Sequence, residues 1–192
     1  MTRAGLVLAA GEGRRFGSAS KLLAELDGRP LLEWAVAAQC ASPALERVVV
    51  VLGADAEEVR AGVDLGRAEA VVCQEWAEGQ AASLRRGVAA LSGAERVVVT
   101  LGDQPLMPAE LVTRFAGEDP PARALYTGRP GHPVVLGAEQ LLAVGDLRGH
   151  RGARDLLRGC RTIDCSAYGD ASRDVDTPED LEAIRDEARA VL

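Results

Sequence analysis

Apolar residues along this chain fall into short unbroken runs, separated by stretches whose apolar positions recur every three or four residues. The runs Leu6–Ala10, Arg47–Leu52 (RVVVVL) and Arg96–Leu101 (RVVVTL) do not alternate with polar residues, which predicts strands buried on both faces. Ala68–Cys73 is a weaker run of the same kind. Between them, Leu31–Ala41 carries Leu32, Ala35, Val36 and Gln39 at helical spacing. Asp55–Ala61, Gln80–Leu91 and Pro108–Phe115 predict further helices, the last with proline in its first turn. Strand and helix alternate four times, which points to βαβ units on a parallel sheet and hence an α/β fold.

The second part of the chain is patterned differently. Ala124–Thr127 and Val134–Leu136 predict short strands, with Gly128-Arg129-Pro130-Gly131-His132-Pro133 as a loop between them. Ala138–Val144 and Ala153–Leu157 predict short helices, and Arg161–Cys165 and Ser172–Val175 two more strands. Thr177, Pro178 and Asp180 open a closing helix that runs to about Ala190, with Thr177 as its cap. No linker divides the chain. It is expected to form one domain over residues 1–192, with two differently patterned halves, 1–115 and 116–192.

Composition narrows the function. The 192 residues are 47% hydrophobic and 27% charged, an ordinary globular balance, and the net charge is −7. That acidity argues against a nucleic-acid surface, while leaving room for a local basic pocket. Two histidines are too few for a histidine-rich zinc site, and the four cysteines form no C-x-x-C pair, so Cys160 and Cys165 read as buried free thiols. No apolar run approaches the roughly 20 residues of a membrane span. The expectation is a soluble cytoplasmic protein.

The first strand empties into Gly11, Gly13 and Gly17, with Arg14 and Arg15 between them and Lys21 beyond. Converging backbone N–H groups and cations suit phosphate. The spacing is one residue too long for a dinucleotide fingerprint, and Ser18 follows Gly17 where a P-loop needs lysine. A looser nucleotide loop ending at Lys21 remains, beside the plainer alternative of a solvated turn.

The string LAAGEGRRFGSASKLL resembles the glycine-rich signature of the small nucleotidyltransferases, which transfer a nucleoside monophosphate from an NTP. EWAEGQAASLRRGV (Trp76, Gly79, Ser83, Leu84, Gly87), LGDQPLM, GHPV at Gly131–Val134 and RDVDTPEDL resemble further segments of the molybdenum cofactor cytidylyltransferases and their near relatives. The resemblance runs from residue 6 to 181. It departs at Gly149-His150-Arg151-Gly152-Ala153-Arg154, where relatives often carry an acid in place of His150. It implies a Rossmann-like three-layer α/β/α nucleotidyltransferase domain with a mostly parallel sheet.

The resemblance also implies a site. Position alone leaves Asp103, just past a buried strand, equally a helix cap or a metal ligand; the resemblance makes it a ligand of Mg2+, with Asp176 as the second carboxylate and Asp174 in reserve. Arg14 and Lys21 are taken for the triphosphate and, with Asp103, for catalysis, whereas Arg15 reads as surface. Leu8, Ala9, Ala10, Gly11, Gly13, Gln80 and Ser83 are expected to line the nucleotide; Trp76 is either a pocket wall or core. Arg129, His132 and Arg154 are the candidate acceptor contacts.

The implied reaction is transfer of CMP from CTP to molybdopterin with loss of pyrophosphate. The Ala9-Ala10 pair favours cytosine, because guanylyltransferases of this group tend to show L-A-G-G there. The alternatives are GTP as donor, a sugar or polyol phosphate as acceptor, or a non-catalytic nucleotide-binding regulator. A molybdoenzyme or chaperone is a possible partner.

Overall fold

The computed structural model of the chain describes residues 2–17 and 20–191, with side chains through residue 185. The predicted loop Gly11–Ser20 therefore falls partly outside the described residues, at Ser18 and Ala19. Seven strands form one sheet: β1 (Arg3–Ala9), β4 (Arg47–Leu52), β5 (Glu69–Val72), β6 (Arg96–Leu101), β7 (Ala122–Tyr126), β8 (Arg129–Leu136) and β9 (Arg161–Asp164). Their order is β5-β4-β1-β6-β8-β7-β9. β8 alone runs against the rest, pairing antiparallel with both β6 and β7. A separate two-stranded ribbon, β2 (Glu25–Leu26) and β3 (Arg29–Pro30), turns at Asp27 and Gly28. Both turn residues have positive φ, 52° and 74°, the backbone of a tight hairpin for which Asp-Gly is suited.

The unalternating runs are strands because helices cover both faces. In β4, Val49 and Val51 join Leu6, Val97 and Val99 beneath α3 (Gln80–Ala90). Val50 and Leu52 join Val7 on the opposite face, beneath α1 (Leu31–Cys40) and α2 (Ala56–Gly62). Val48 and Val98 pack with Leu111, Val112 and Phe115 of α4 (Ala109–Gly117). This is the expected three-layer α/β/α arrangement. α5 (Ala138–Ala143) follows β8, and α6 (Pro178–Val191) lays Leu181 and Ile184 against Leu26 and Leu31. No helix among the described residues is long and apolar enough to cross a membrane.

Three expectations are corrected. The stretch Arg129–Pro133, read as a loop, is the outer half of β8 and pairs with β7 through Tyr126↔Arg129, Leu125↔Pro130 and Ala124↔Gly131. β6 joins β8 only from Val134 onward, so both prolines lie where the β6 side of the strand needs no N–H donor. Ser172–Val175 is not a strand. It is an extended strap whose Val175 N–H donates to the Asp103 carbonyl at 2.9 Å, while Gly131 closes against Ser172 so tightly that a Cβ there would lie 2.5 Å from its Oγ. The segment predicted as a helix over Ala153–Leu157 is a 3-10 turn, Ala153–Leu156. All four cysteines are free thiols.

Candidate active site

Strand order reverses between β1 and β6, so the crevice beyond their carboxyl ends is where an open α/β sheet takes a ligand. β1 delivers Ala10 and Gly11 there, and β6 delivers Asp103. Gly53 is needed at the rim, since a Cβ on it would lie 2.2 Å from the Ala10 carbonyl oxygen. The glycine loop bends at Gly13 (φ 63°) into a 3-10 turn, Arg14–Phe16, and a second such turn begins at Lys21.

Asp176 arrives from the far end of the chain. The N–H groups of Asp176 and Thr177 donate to Asp180 Oδ2 at 3.0 and 2.8 Å, and the Asp180 N–H donates to Thr177 Oγ1 at 3.2 Å. That reciprocal cap, with the Val175–Asp103 backbone bond, holds Asp176 beside Asp103. The Thr177 hydroxyl and the two N–H groups also keep the Asp180 carboxyl below its ordinary range. Gln104 completes the strap by donating to the Ser172 carbonyl at 3.0 Å and to Asp174 Oδ1 at 2.8 Å.

Lys21 sits between the two carboxylates. Its Nζ donates to Asp103 Oδ2 at 2.7 Å and to Asp176 Oδ1 at 3.2 Å, and its side chain is only 11% exposed. Burial opposes the ammonium charge, but the two carboxylates outweigh it and hold the lysine pKa above its ordinary value. Asp103 Oδ1 is buried and bonded to nothing among the described residues. A carboxylate with a free oxygen, facing a second carboxylate, suits a hard cation that takes one or two protein oxygens and leaves its other positions to phosphate and water. Among the described residues no group of three or more His, Cys, Asp or Glu is arranged to hold a metal by itself. Burial, with the Asp103 charge second, raises the pKa of Asp174, which is tied to Gln104.

Two cavities flank this point. The larger, about 640 Å³, is lined by Leu8, Ala10, Gly11, Gly13, Arg14, Trp76, Gln80, Ser83, Asp103 and others. Ala9 and Lys21 line a niche of about 60 Å³ next to it, shared with Asp103. The second cavity, about 300 Å³, shares Leu8, Gln80 and Leu101 with the first and contains His132 and Arg154. Burial, then the Arg123 charge, pushes the His132 imidazole down to about 4, so it is neutral at pH 7.

The structure thus gathers most of the sequence-chosen residues at one crevice. Arg129 is different: it lies exposed at the tip of the β7–β8 hairpin and lines neither cavity. Arg14 borders the larger cavity, but its side chain is 82% exposed and paired with Glu12 at 2.6 Å. Arg15, read as surface, is the arginine that reaches the carboxylates, pairing with Asp176 Oδ2 at 2.9 Å. Which arginine turns inward is decided by the 3-10 turn after Gly13, which the glycine spacing does not reveal. Two residues went unassigned by sequence, Gln104, which ties down the strap, and Arg123 in the smaller cavity, while His150, singled out as a departure from the resemblance, lines the larger cavity. For Arg123 a signal existed, a lone arginine on an otherwise apolar strand.

Residues 5–166 match the family described as MobA-like NTP transferase domain. The chain is 35% identical to nicotine blue oxidoreductase of Paenarthrobacter nicotinovorans, over 92% of this chain and 93% of that protein. It is also 35% identical to a molybdenum cofactor guanylyltransferase of Cereibacter sphaeroides, over 75% of this chain and 77% of the relative. Among solved structures, a homologue of Mycobacterium tuberculosis Rv0371c from Mycobacterium sp. strain JC1 superposes with a TM-score of 0.84 at 28% identity, covering 99% of this chain and 98% of that one. Rv0371c of M. tuberculosis H37Rv, solved in complex with manganese, shares the fold at TM-score 0.81 and 24% identity, covering 97% and 99% of the two chains.

Proposed function

Because this chain belongs to the MobA-like NTP transferase family and is a nucleotidyltransferase, we propose that it transfers the monophosphate of a nucleoside triphosphate to a phosphorylated acceptor and releases pyrophosphate. One observation carries the reading: Lys21 bridges Asp103 and Asp176 where the glycine loop meets two adjoining cavities, one large enough for a nucleotide. A divalent cation such as magnesium, held by Asp103 and Asp176, would neutralise phosphate charge at the reacting centre.

The chain's own residues position and neutralise. Lys21 is a compact charge within reach of a triphosphate lying over Gly11 and Gly13, and Arg14 offers a forked donor at the mouth of the larger cavity. Ala9, Ala10 and Gly11 present backbone to base and ribose, with Gln80 and Ser83 at the start of α3 on the other side. The acceptor, in the second cavity, attacks the α-phosphorus as an anionic phosphate. No side chain has to remove a proton, and holding two anions in line is the catalytic task.

For base and acceptor, the likeness to a molybdenum cofactor guanylyltransferase supports GTP and a molybdopterin-type acceptor. It outweighs the Ala9-Ala10 pair, which points to CTP. The test is pyrophosphate release from each NTP with magnesium and molybdopterin, or with sugar and polyol phosphates. Preference for GTP is the expected result, and preference for CTP would restore the cytidylyl reading. Release from no NTP with any of these acceptors would overturn the transferase proposal. A redox reading rests on the near full-length likeness to nicotine blue oxidoreductase. It predicts oxidation or reduction of nicotine blue by the same preparation, although the glycine spacing does not match a dinucleotide loop.

A further inference from the structure

Along β7, Ala122, Ala124 and Tyr126 are buried against α4 and its neighbours, so Arg123 faces the other side of the sheet. The pairing of β7 with β8 shifts register between Arg123 and Ala124, an irregularity of the kind that re-aims a side chain. Arg123 lines the second cavity, whose apolar wall includes Val134, Ala153 and Leu157. Its Nε is buried without a hydrogen-bond partner, and it makes no ion pair among the described residues. Asp174, the cavity's own carboxylate, is engaged by Gln104 instead. A guanidinium that lines a cavity with no ion-pair partner and no bond at Nε is a donor group prepared for an anion.

We infer that Arg123 is a specificity-determining residue that pairs with a phosphate group of the acceptor in the second cavity. The acceptor comes from the transferase reading above, but the anion site can be tested without it. Neighbouring groups fit the same ligand: Arg154 adds a second cation, and His132, neutral at pH 7, can donate one N–H. The nucleotide's phosphates have their own cations at Lys21 and Arg14, across Leu8 and Leu101.

The chain's two histidines report on the two cavities separately, His132 in the second and His150 in the first. Imidazole NMR signals would be followed while inorganic phosphate is added to the whole protein, and then GTP. Phosphate should move the His132 signals and GTP those of His150. Arg123→Gln should weaken the phosphate response at His132 at least tenfold, and Arg123→Lys less. In both variants the GTP response of His150 should persist, which shows that the fold is intact. A phosphate response confined to His150, or one at His132 unchanged by Arg123→Gln, would overturn the inference. Should no NTP release pyrophosphate while phosphate still moves His132 through Arg123, the transferase reading fails and the anion site stands.

Discussion

Replacing Lys21 by methionine removes the cation that bridges both site carboxylates and preserves most of the side chain's apolar stem. The lysine makes charge-assisted bonds at 2.7 and 3.2 Å, and such bonds contribute about 1.5–3 kcal/mol each. They are not equal here. Asp176 keeps Arg15 at 2.9 Å and is 31% exposed, so water and a second cation soften its loss. Asp103 has no such reserve: Oδ1 lacks a partner already, and Oδ2 would lose Lys21. The expected destabilisation is about 2–4 kcal/mol, mostly from Asp103, or a fall in Tm of about 5–12 °C for a chain of this size. Urea unfolding followed by Trp34 and Trp76 fluorescence measures it. Adding Asp103→Asn to the methionine variant should restore part of the stability, because no uncompensated charge then remains. A Lys21→Met protein within about 0.5 kcal/mol of wild type, or a double variant whose losses simply add, would refute the bridging role.

Three further outcomes are expected. Asp103→Asn should lower pyrophosphate release at least about 10²-fold, the scale of one preorganised electrostatic contact, and chelation of the wild type should leave the same residual rate. Unchanged turnover would remove Asp103 from the catalytic machinery. Gly53→Ala should cost about 1–3 kcal/mol and weaken GTP binding, since its Cβ would meet the Ala10 backbone at 2.2 and 2.8 Å; thermal melts and GTP titration unchanged from wild type would contradict this. His132, pushed to about 4 in the folded chain from an ordinary 6.5, takes up its proton more readily when unfolded. Its contribution is therefore complete above pH 6.5 and lost as pH falls toward 4, by at most about 3 kcal/mol. Stability against pH should be flatter over that window in His132→Gln, and an identical slope would count against the assignment.

What could be read from the sequence follows from how each part is held. β4 and β6 fall on RVVVVL and RVVVTL residue for residue, because a strand covered by helices on both faces needs nothing but apolar side chains. β8 could not be read so. Its outer half pairs with one neighbour only, which admits Pro130 and Pro133, and two prolines among glycines look like a loop when the partner strand is unknown. The site divides in the same way. Asp103 and Lys21 stand at the ends of local elements, and Asp176 opens a helix with its own cap, so each falls within a short motif on which the resemblance could choose it. Arg15, Gln104 and Arg123 take their positions from contacts far away in sequence.

For the strands, that division falls along the seam of the sheet, with β4 and β6 on one side and β8 on the other. The side proposed for the nucleotide is built from parallel strands whose loops all emerge at one edge, so a residue after a strand is in the crevice by construction. The side proposed for the acceptor is built around one reversed strand inserted between β6 and β7, and its side chains reach the second cavity through register and a bulge. Changing the residues that β7, β8 and the segments after them give to that cavity leaves the βαβ half untouched. Acceptor preference can therefore differ among chains that share the glycine loop and both carboxylates, and motifs that identify the reaction carry little information about what receives the nucleotide. Arg123, on the reversed strand's neighbour and outside every motif, is where such a difference would be written.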